Sequence, residues 1–157
     1  MIHLKLDIEN DKFVVFLNKK IDIVNKHKLE IYLKKILIKI KNRYDIKLNG
    51  YYIINIYINK FYGTIIEIKN ENLDYYSYFN QVDMEINIFK DSLFLYEIDF
   101  EYIEKGLLKN VKIYKLEDKI YLKIINNINM SKLLEYSNIL YGKAVERIIK
   151  QSKKVNL

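Results

Sequence analysis

Apolar and polar residues alternate at the start of the chain. Ile2, Leu4, Leu6 and Ile8 are separated by His, Lys and Asp residues, a pattern typical of a strand with one buried face. After a polar turn, residues 13–17 are aromatic and β-branched, as expected for a second strand. The two segments are therefore predicted to pair as a hairpin.

A helical repeat follows over residues 26–44. Its predicted core face bears the apolar side chains of Leu29, Leu33, Ile36, Ile40 and Tyr44, spaced three or four residues apart. Asn25 precedes the repeat as a plausible N-cap. The segment 36–41 also alternates and is open to a strand interpretation, but the length of the repeat and the cap favour a helix.

Turn residues divide the next stretch into two strands. Asn49-Gly50 tolerates positive φ and leads into an alternating segment at 51–59, and Gly63 lies in the reversal before residues 64–69. The first half of the chain is therefore predicted to have the order ββαββ.

The second half opens with similar alternation. Residues 82–88 alternate cleanly, and the turn at 90–92 leads into a segment starting at Leu93, so a hairpin is predicted. Residues 99–106 are open between a short helix and a strand extension. Residues 113–116 and 120–124 flank Glu117-Asp118 as another hairpin.

A last helix is predicted after Asn129 or Ser131, either of which can cap it. Its apolar positions extend to Tyr141, and Gly142 either ends the helix or kinks it before residues 144–150.

These elements predict an α+β fold, with a mostly antiparallel sheet of hairpins and two main helices. The second half is open to a repeat of the ββαββ order. Because no linker rich in Pro, Gly or Ser interrupts the chain, we expect either a single domain over residues 1–157 or two tightly packed halves, 1–72 and 80–157.

Composition explains much of the net charge of +7. The chain has 28 Ile, 25 Lys, 17 Asn and 15 Tyr but only 2 Arg, which is typical of an A/T-rich genome. The ends of the chain are basic and the middle is acidic, which argues against one continuous phosphate-binding surface. Nucleic-acid binding by the basic N- and C-terminal regions is the alternative function.

The compartment is predicted from what the sequence lacks. With no cysteine, the chain has no disulfide framework, which fits a reducing compartment. The first ten residues lack the apolar run of a signal peptide, and the longest uncharged run, at 48–59, is too short to cross a bilayer. A cytoplasmic protein without a membrane partner is expected.

No recognisable set of catalytic residues occurs in the sequence. The two histidines, His3 and His27, lie on a predicted strand and at a predicted helix start, and the four glycines are too dispersed to cradle a phosphate. We therefore expect no catalytic residue, no metal site and no cofactor, and a non-enzymatic protein.

Three surface features are candidate binding sites. The first is acidic. If residues 93–103 form one long strand, Glu97, Asp99 and Glu101 share a face and are able to hold Mg²⁺ or Ca²⁺; otherwise they form a solvated acidic edge or face a lysine-bearing partner.

The second is a stripe of lysines on the exposed face of the first helix, formed by Lys28, Lys35 and Lys39 beside Lys34 and Lys41. The stripe is able to bind phosphates along a nucleic acid, or it is simply the solvated face of the helix.

The third is an aromatic segment within 74–79, which is the best protein-binding candidate; its aromatic residues are Tyr75, Tyr76, Tyr78 and Phe79. The alternative is that these side chains pack onto the core.

The last third of the chain carries a family resemblance. The residues that carry it are Phe100, Ile103, residues 111–114 and 116–124, Leu133, Tyr141-Gly142 and residues 153–155. They resemble the carboxy-terminal domain of MecA-type adaptors. That family delivers substrates to a Clp-type unfoldase, so the resemblance implies an adaptor that binds another protein. The chain lacks the acidic interdomain linker of the family, and no binding residue is transferred.

Overall fold

The computed structural model describes residues 2–7, 12–45, 50–71 and 82–155. They form two compact units. The first unit comprises Met1–Ile58 and Gly63–Phe89, and the second comprises Asn59–Tyr62 and Lys90–Leu157. Each unit contains a five-stranded sheet, so the predicted α+β class is confirmed. No helix in the described part of the chain is both long enough and apolar enough to cross a membrane.

The first unit follows the predicted ββαββ order and adds a fifth strand. Its elements are β1 (Ile2–Asp7), β2 (Lys12–Leu17), α1 (Lys26–Tyr44), β3 (Gly50–Asn59), β4 (Gly63–Glu71) and β5 (Val82–Phe89). The sheet order is β1-β2-β4-β3-β5. Helix α1 connects β2 to β3, and β4 lies between these two strands, so the unit contains a split β-α-β arrangement.

Helix α1 has the predicted bounds and the predicted cap. The Asn25 side chain accepts a hydrogen bond from the backbone N–H of Lys28 at 3.1 Å, and the helix ends at Asp45 in a left-handed conformation. The buried face of the helix packs on one face of the sheet and consists of Leu29, Leu33, Ile36, Leu37 and Ile40. Burial of this apolar stripe is the main stabilising contribution of the helix.

The other face of the sheet carries a line of polar side chains across four strands. Asn55 of β3 donates to the Glu67 carboxylate on β4 at 3.1 Å and accepts from the Asn87 side-chain amide on β5 at 3.0 Å. Lys12 of β2 lies 3.6 Å from the other oxygen of Glu67. A displaced register would separate these partners, so the line helps to fix the alignment of the strands.

The predicted hairpin between residues 82–88 and the segment from Leu93 is wrong. Strand β5 instead pairs in parallel with β3, with Ile54 opposite Ile86 and Ile56 opposite Ile88. Alternation identifies which face of a strand is buried but not which strand lies beside it, and β5 extends the apolar face under α1. The strand that follows enters the second sheet, so the predicted order of two strands, a short helical segment and two strands is present along the chain, but its strands are divided between the two sheets.

The second unit is an antiparallel sheet with helices. Its elements are β6 (Leu95–Ile98), 3-10 helices at Phe100–Tyr102 and Lys105–Asn110, β7 (Val111–Leu116), β8 (Lys119–Ile124), α2 (Met130–Tyr136), β9 (Ser137–Leu140), α3 (Lys143–Gln151) and β10 (Lys153–Val155). The order is β10-β7-β8-β6-β9. The predicted β7–β8 hairpin is confirmed, and the open region at 99–106 is largely 3-10 helix.

The long last helix predicted from Asn129 to Tyr141 is wrong. Helix α2 is capped by Asn129, which accepts from the Ser131 N–H at 3.0 Å, but it ends at Tyr136. Residues 137–140 form β9 and pair with β6. Backbone pairing at the open edge of β6 replaces continuation of the helix, and Gly142 (φ 64°) is the N-cap of α3.

Candidate functional site

The predicted aromatic segment lies outside the described residues. Tyr75, Tyr76, Tyr78 and Phe79 fall within residues 72–81, for which the structure describes no positions. The hypothesis that they bind a protein therefore stays a prediction.

The three predicted acidic residues do not share one strand face, because β6 ends at Ile98. Glu97 lies within β6 and forms an ion pair with Lys119 at 3.3 Å, and the hydrogen bond and the charge of its carboxylate raise the pKa of Lys119. Asp99 and Glu101 are exposed at the start of the first 3-10 helix. Within the described ranges, no cluster of three or more His, Asp or Glu side chains is placed to hold a metal ion.

Three exposed aromatic residues lie close to these acids. Phe100 is 59% exposed, Tyr102 is 44% exposed and Tyr136 is 46% exposed. The rings of Tyr102 and Tyr136 stack in parallel, with their centroids 4.5 Å apart. We call these three residues the aromatic patch. It joins the first 3-10 helix to α2 and lies wholly in the second unit.

The two segments that form the aromatic patch also carry charged side chains. Residues 99–105 and 131–136 carry four acidic groups, Asp99, Glu101, Glu104 and Glu135, against two basic ones, Lys105 and Lys132. Lys132 is paired with Glu104, which raises the pKa of the lysine through a hydrogen bond and its charge. These two segments therefore have net negative charge, although the chain as a whole is basic.

A pocket of about 200 Å³ forms a second candidate site in the same unit. The side chain of Asn59 connects two of the segments that line the pocket. Its side-chain oxygen accepts from the N–H groups of Phe61 and Tyr62, each at 2.9 Å, and its amide donates to the Ser92 carbonyl at 2.9 Å. The turn at 59–62 is thereby fixed to the segment at 90–94.

Tyr96 lines this pocket and is 1% exposed. Its hydroxyl is buried and forms no hydrogen bond with the described residues. Burial and the neighbouring Tyr62 raise the pKa of Tyr96, in that order of importance, so the phenol stays protonated at neutral pH. We call this cavity the Tyr96 pocket.

The remaining walls of the Tyr96 pocket are mixed in character. Lys60, Lys123 and Asp91 supply the charges, and apolar side chains supply most of the rest, including Phe61, Leu93, Phe94 and Ile124. Exposed residues such as Lys60 and Asp91 lie at the rim, whereas Phe94, Tyr96 and Ile124 are buried. The pocket therefore combines an apolar interior with an excess of positive charge.

The lysine stripe of α1 lies where the sequence predicts it. Lys28, Lys34, Lys35, Lys39 and Lys41 are all exposed. The exposed large apolar side chains of this helix are Ile31 and Ile38, and the tyrosines Tyr32 and Tyr44 are half-buried. The stripe thus has charge for phosphates but no exposed aromatic ring for base stacking.

The sequence analysis missed both sites of the second unit as sites. The alternation of Phe100 and Tyr102 with Asp99 and Glu101 did not identify the aromatic patch, because the same pattern is typical of a strand with one buried face. No local signal marks the Tyr96 pocket, because its walls come from the turns before β4 and β6 and from β8.

Comparison with known proteins gives no relative: no family model matches the chain, and no curated protein or solved structure matches it either.

Proposed function

We propose that this chain is a non-enzymatic protein-interaction protein that binds a partner protein through the aromatic patch. The observation that supports the proposal most strongly is the stacking of two exposed rings, Tyr102 and Tyr136, with exposed Phe100 in the same 3-10 helix as Tyr102. Aromatic side chains dominate the binding energy of many interfaces, where they fill pockets on the partner. Exposed singly they would need no explanation, but here two of them are held in contact.

The stacked pair favours binding because its rings are already ordered. Immobilising a side chain on binding typically costs about 0.5 to 1.5 kcal/mol. Tyr102 and Tyr136 restrict each other before a partner arrives, so less of this cost remains. Phe100, the most exposed of the three, is the residue that we expect to enter a partner pocket.

The charge around the patch specifies the kind of partner. Asp99, Glu101 and Glu135 are exposed and adjoin patch residues in the sequence, and opposite charges steer association and select partners. We therefore propose a partner segment that carries lysine or arginine beside an apolar anchor. This gives Asp99 and Glu101, two of the three predicted acidic residues, a role as part of a polar rim.

An adaptor is the form of protein binding that the MecA resemblance implies. The resemblance includes Phe100 and Leu133, which lie in or beside the elements that bear the patch. Delivery of a substrate to an unfoldase requires two protein-binding surfaces, and the aromatic patch supplies one candidate. The adaptor role is proposed on this basis alone.

An array of 15-residue peptides tests the proposal. We expect the chain to select peptides that combine Lys or Arg with an aromatic or aliphatic residue. Phe100→Ala should weaken binding about tenfold or more, and Glu101→Lys should weaken binding of the same peptides. Ile38→Ala is the matched control, because Ile38 is 56% exposed on α1. Equal loss in all three variants, or no loss in the two patch variants, would contradict the proposal.

Nucleic-acid binding is the second candidate, and the exposed lysine stripe of α1 is the observation that favours it. A labelled 20-nucleotide single strand tests this function by mobility shift. Binding that falls steeply between 50 and 200 mM salt, and that Lys35→Gln with Lys39→Gln weakens, would support it. If the aromatic patch is the functional surface, the strand should not bind at physiological salt.

A further inference from the structure

Three exposed aliphatic side chains belong to α1 and to the residue before its cap. Val24 is 93% exposed, Ile31 is 43% exposed and Ile38 is 56% exposed. Ile31 and Ile38 are seven residues apart, which places them two turns apart on nearly the same side of the helix, about 10 Å along its axis. A different side of the helix packs on the sheet, so the core of the first unit does not account for these two residues.

Val24 departs from a common arrangement at helix starts. It directly precedes the cap Asn25, and an apolar residue at this position often packs on the fourth residue of the helix, here Leu29. Leu29 is buried, but Val24 keeps 93% of its surface exposed. Val24 therefore adds a third exposed aliphatic side chain at the start of α1.

Most neighbours of the two exposed isoleucines are lysines. Residues three and four positions apart are neighbours on a helix surface. By this rule, the neighbours of Ile31 and Ile38 outside the core face are His27, Lys28, Lys34, Lys35, Lys41 and Asn42. All six are exposed and none is acidic. The exposed side of α1 thus combines aliphatic side chains with a surround of positive charge.

This positive charge is not balanced within the described part of the chain. Helix α1 carries seven Lys and Arg residues and one acid, Glu30, and no lysine of α1 forms an ion pair with another described residue. Lys26 and Lys28 stand in a first turn without an acid, which opposes the helix dipole. Lys35 and Lys39 place like charges four residues apart, which also destabilises a helix. A negatively charged partner surface would relieve this repulsion.

The pattern selects among negatively charged and helical partners. A second copy of the chain would bring the same lysines together and be repelled. A coiled-coil partner needs two apolar positions in every seven residues, whereas this side of α1 has one. Nucleic acid would use the lysines, but its bases stack on aromatic rings, so Ile31 and Ile38 would have no role. An anionic bilayer offers extended negative charge above an apolar interior and requires no shaped pocket.

We propose that α1 binds the surface of an anionic phospholipid bilayer and lies in its plane. The lysine stripe pairs with lipid headgroups, and Val24, Ile31 and Ile38 enter the boundary between headgroups and acyl chains. Clusters of four to eight basic residues on a helix are typical of such contacts. The site shares no residue with the aromatic patch, so failure of either proposal leaves the other standing.

A surface contact of this kind has other requirements than a membrane span. The expectation of no membrane partner rests on the lack of a long apolar run, which is a criterion for segments that cross a bilayer. A helix that lies on the surface needs basic residues and a few apolar side chains on one exposed side. The exposed side of α1 has both.

Sedimentation with lipid vesicles tests the proposal on the full chain. One set of vesicles contains phosphatidylcholine with about 30 mol% phosphatidylserine, and the other contains phosphatidylcholine alone. We expect the chain to bind the anionic set about tenfold or more tightly, and to lose about tenfold of that affinity between about 50 and 300 mM salt. Equal affinity for both sets, or binding to neither, would overturn the proposal.

Paired lysine substitutions locate the charge that binds. Lys34→Gln with Lys35→Gln should weaken binding to the anionic vesicles about tenfold or more. Lys143→Gln with Lys150→Gln is the matched control, because it removes the same charge from exposed positions of α3, and it should weaken binding less than about threefold. Equal losses in the two pairs would show that net charge alone is responsible and would contradict a site on α1.

Paired isoleucine substitutions distinguish a bilayer from nucleic acid. Ile31→Ser with Ile38→Ser keeps every charge and should weaken vesicle binding about fivefold or more. Leu93→Ser with Ile125→Ser changes two exposed aliphatic residues of the second unit and should leave the affinity unchanged. Full affinity in the Ile31 and Ile38 pair would overturn the proposal. Release from the vesicles by a 20-nucleotide single strand at an equal concentration of phosphate groups would assign the stripe to nucleic acid and would also overturn it.

Insertion is measurable by fluorescence because the chain has no tryptophan. Ile38→Trp introduces a single indole, whose emission should shift to shorter wavelength and be quenched by brominated acyl chains when anionic vesicles are added. Leu93→Trp, at another exposed aliphatic position, should show neither effect. An unchanged Ile38→Trp spectrum at vesicle concentrations that sediment the chain would contradict the proposal.

Discussion

Tyr102 and Tyr136 stack face to face at the surface of the second unit, with their ring planes inclined by 6°. They lie 34 positions apart in the sequence, on the first 3-10 helix and at the end of α2. Their contact fixes one element against the other and holds two aromatic rings in a half-exposed position. The aromatic patch is thus ordered before any partner binds.

The coupling between these two tyrosines is measurable in a double-mutant cycle. We expect Tyr102→Ala and Tyr136→Ala to be less destabilising together than the sum of the single changes, by about 0.5 to 1 kcal/mol. The free energy of unfolding from urea titrations gives the value. Strictly additive effects would show that the rings do not stabilise each other in solution.

Gly63 is a position at which any added side chain should destabilise the fold. Its φ is +129°, and a Cβ atom there would lie 2.5 Å from the backbone nitrogen of Lys19 and 2.6 Å from the carbonyl oxygen of Leu17. Gly63→Ala should therefore lower the free energy of unfolding by about 2 to 4 kcal/mol, from backbone strain and overpacking. Gly106→Ala is the control, since nothing lies within 4 Å of that Cβ, and it should change stability by less than about 0.5 kcal/mol. Similar losses in both variants would contradict the close approach.

Alkaline pH should destabilise the protein through Tyr62. Burial raises the pKa of Tyr62 to about 12, against about 10 in the unfolded chain. Below pH 10 the Tyr62 phenol is protonated in both the folded and the unfolded chain. Above pH 10 the unfolded chain loses this proton first, so the free energy of unfolding falls as the pH rises towards 12. Between pH 9 and pH 11 this residue should account for about 1 kcal/mol of the loss.

Comparison with Tyr62→Phe isolates this contribution from the titration of the lysines. The variant should lose less stability between pH 9 and pH 11 than the wild type, and absorbance at 295 nm should show one fewer tyrosine ionising late. Tyr102→Phe, which removes a hydroxyl from a half-exposed ring, is the matched control. Identical pH profiles for the wild type and Tyr62→Phe would show that this phenol is accessible.

The polar line of the first sheet predicts a pH-dependent defect. Asn55→Asp keeps the shape of the side chain but places a carboxylate where an amide donates to Glu67. We expect this change to lower the free energy of unfolding by about 2 kcal/mol at pH 7. The like charges raise the pKa of the pair in the folded state, so the deficit should shrink as the pH falls towards 4. Asn18→Asp, at an exposed position, should show neither effect; a deficit for Asn55→Asp that is constant with pH would argue against the contact.

Local signals in the sequence were sufficient for some elements. Helix α1 was predictable to its bounds because its cap, Asn25, and its apolar repeat are both encoded within one segment. The β7–β8 hairpin was predictable because its two strands are separated only by the turn at Glu117-Asp118, where Glu117 adopts a positive φ.

Pairing between strands that are distant in the sequence could not be predicted from local signals. The side chains of β5 alternate as well in parallel with β3 as they would in a hairpin with the next strand, and only the tertiary fold selects the partner. Residues 137–140 fit the helical repeat by spacing, yet they form β9 because the edge of β6 offers backbone hydrogen bonds.

The candidate sites depend on the same long-range information. Acidic character around Asp99 and Glu101 was visible in the sequence, but the partnership of Tyr102 with Tyr136 requires the packing of α2. The Tyr96 pocket requires Asn59 and Ser92 to meet across 33 positions. Exposure and convergence of side chains are properties of the fold, so they emerge only with the structure.

Mapping the binding surface by amide chemical shifts tests the central claim most directly. The ¹⁵N-labelled chain is titrated with the tightest-binding peptide selected from the array. If the aromatic patch is the binding surface, the shift changes should be confined to residues 99–104 and 131–137, and at the same peptide concentration they should be much smaller in Phe100→Ala. Shift changes centred on the lysine stripe of α1, or undiminished changes in Phe100→Ala, would contradict the account.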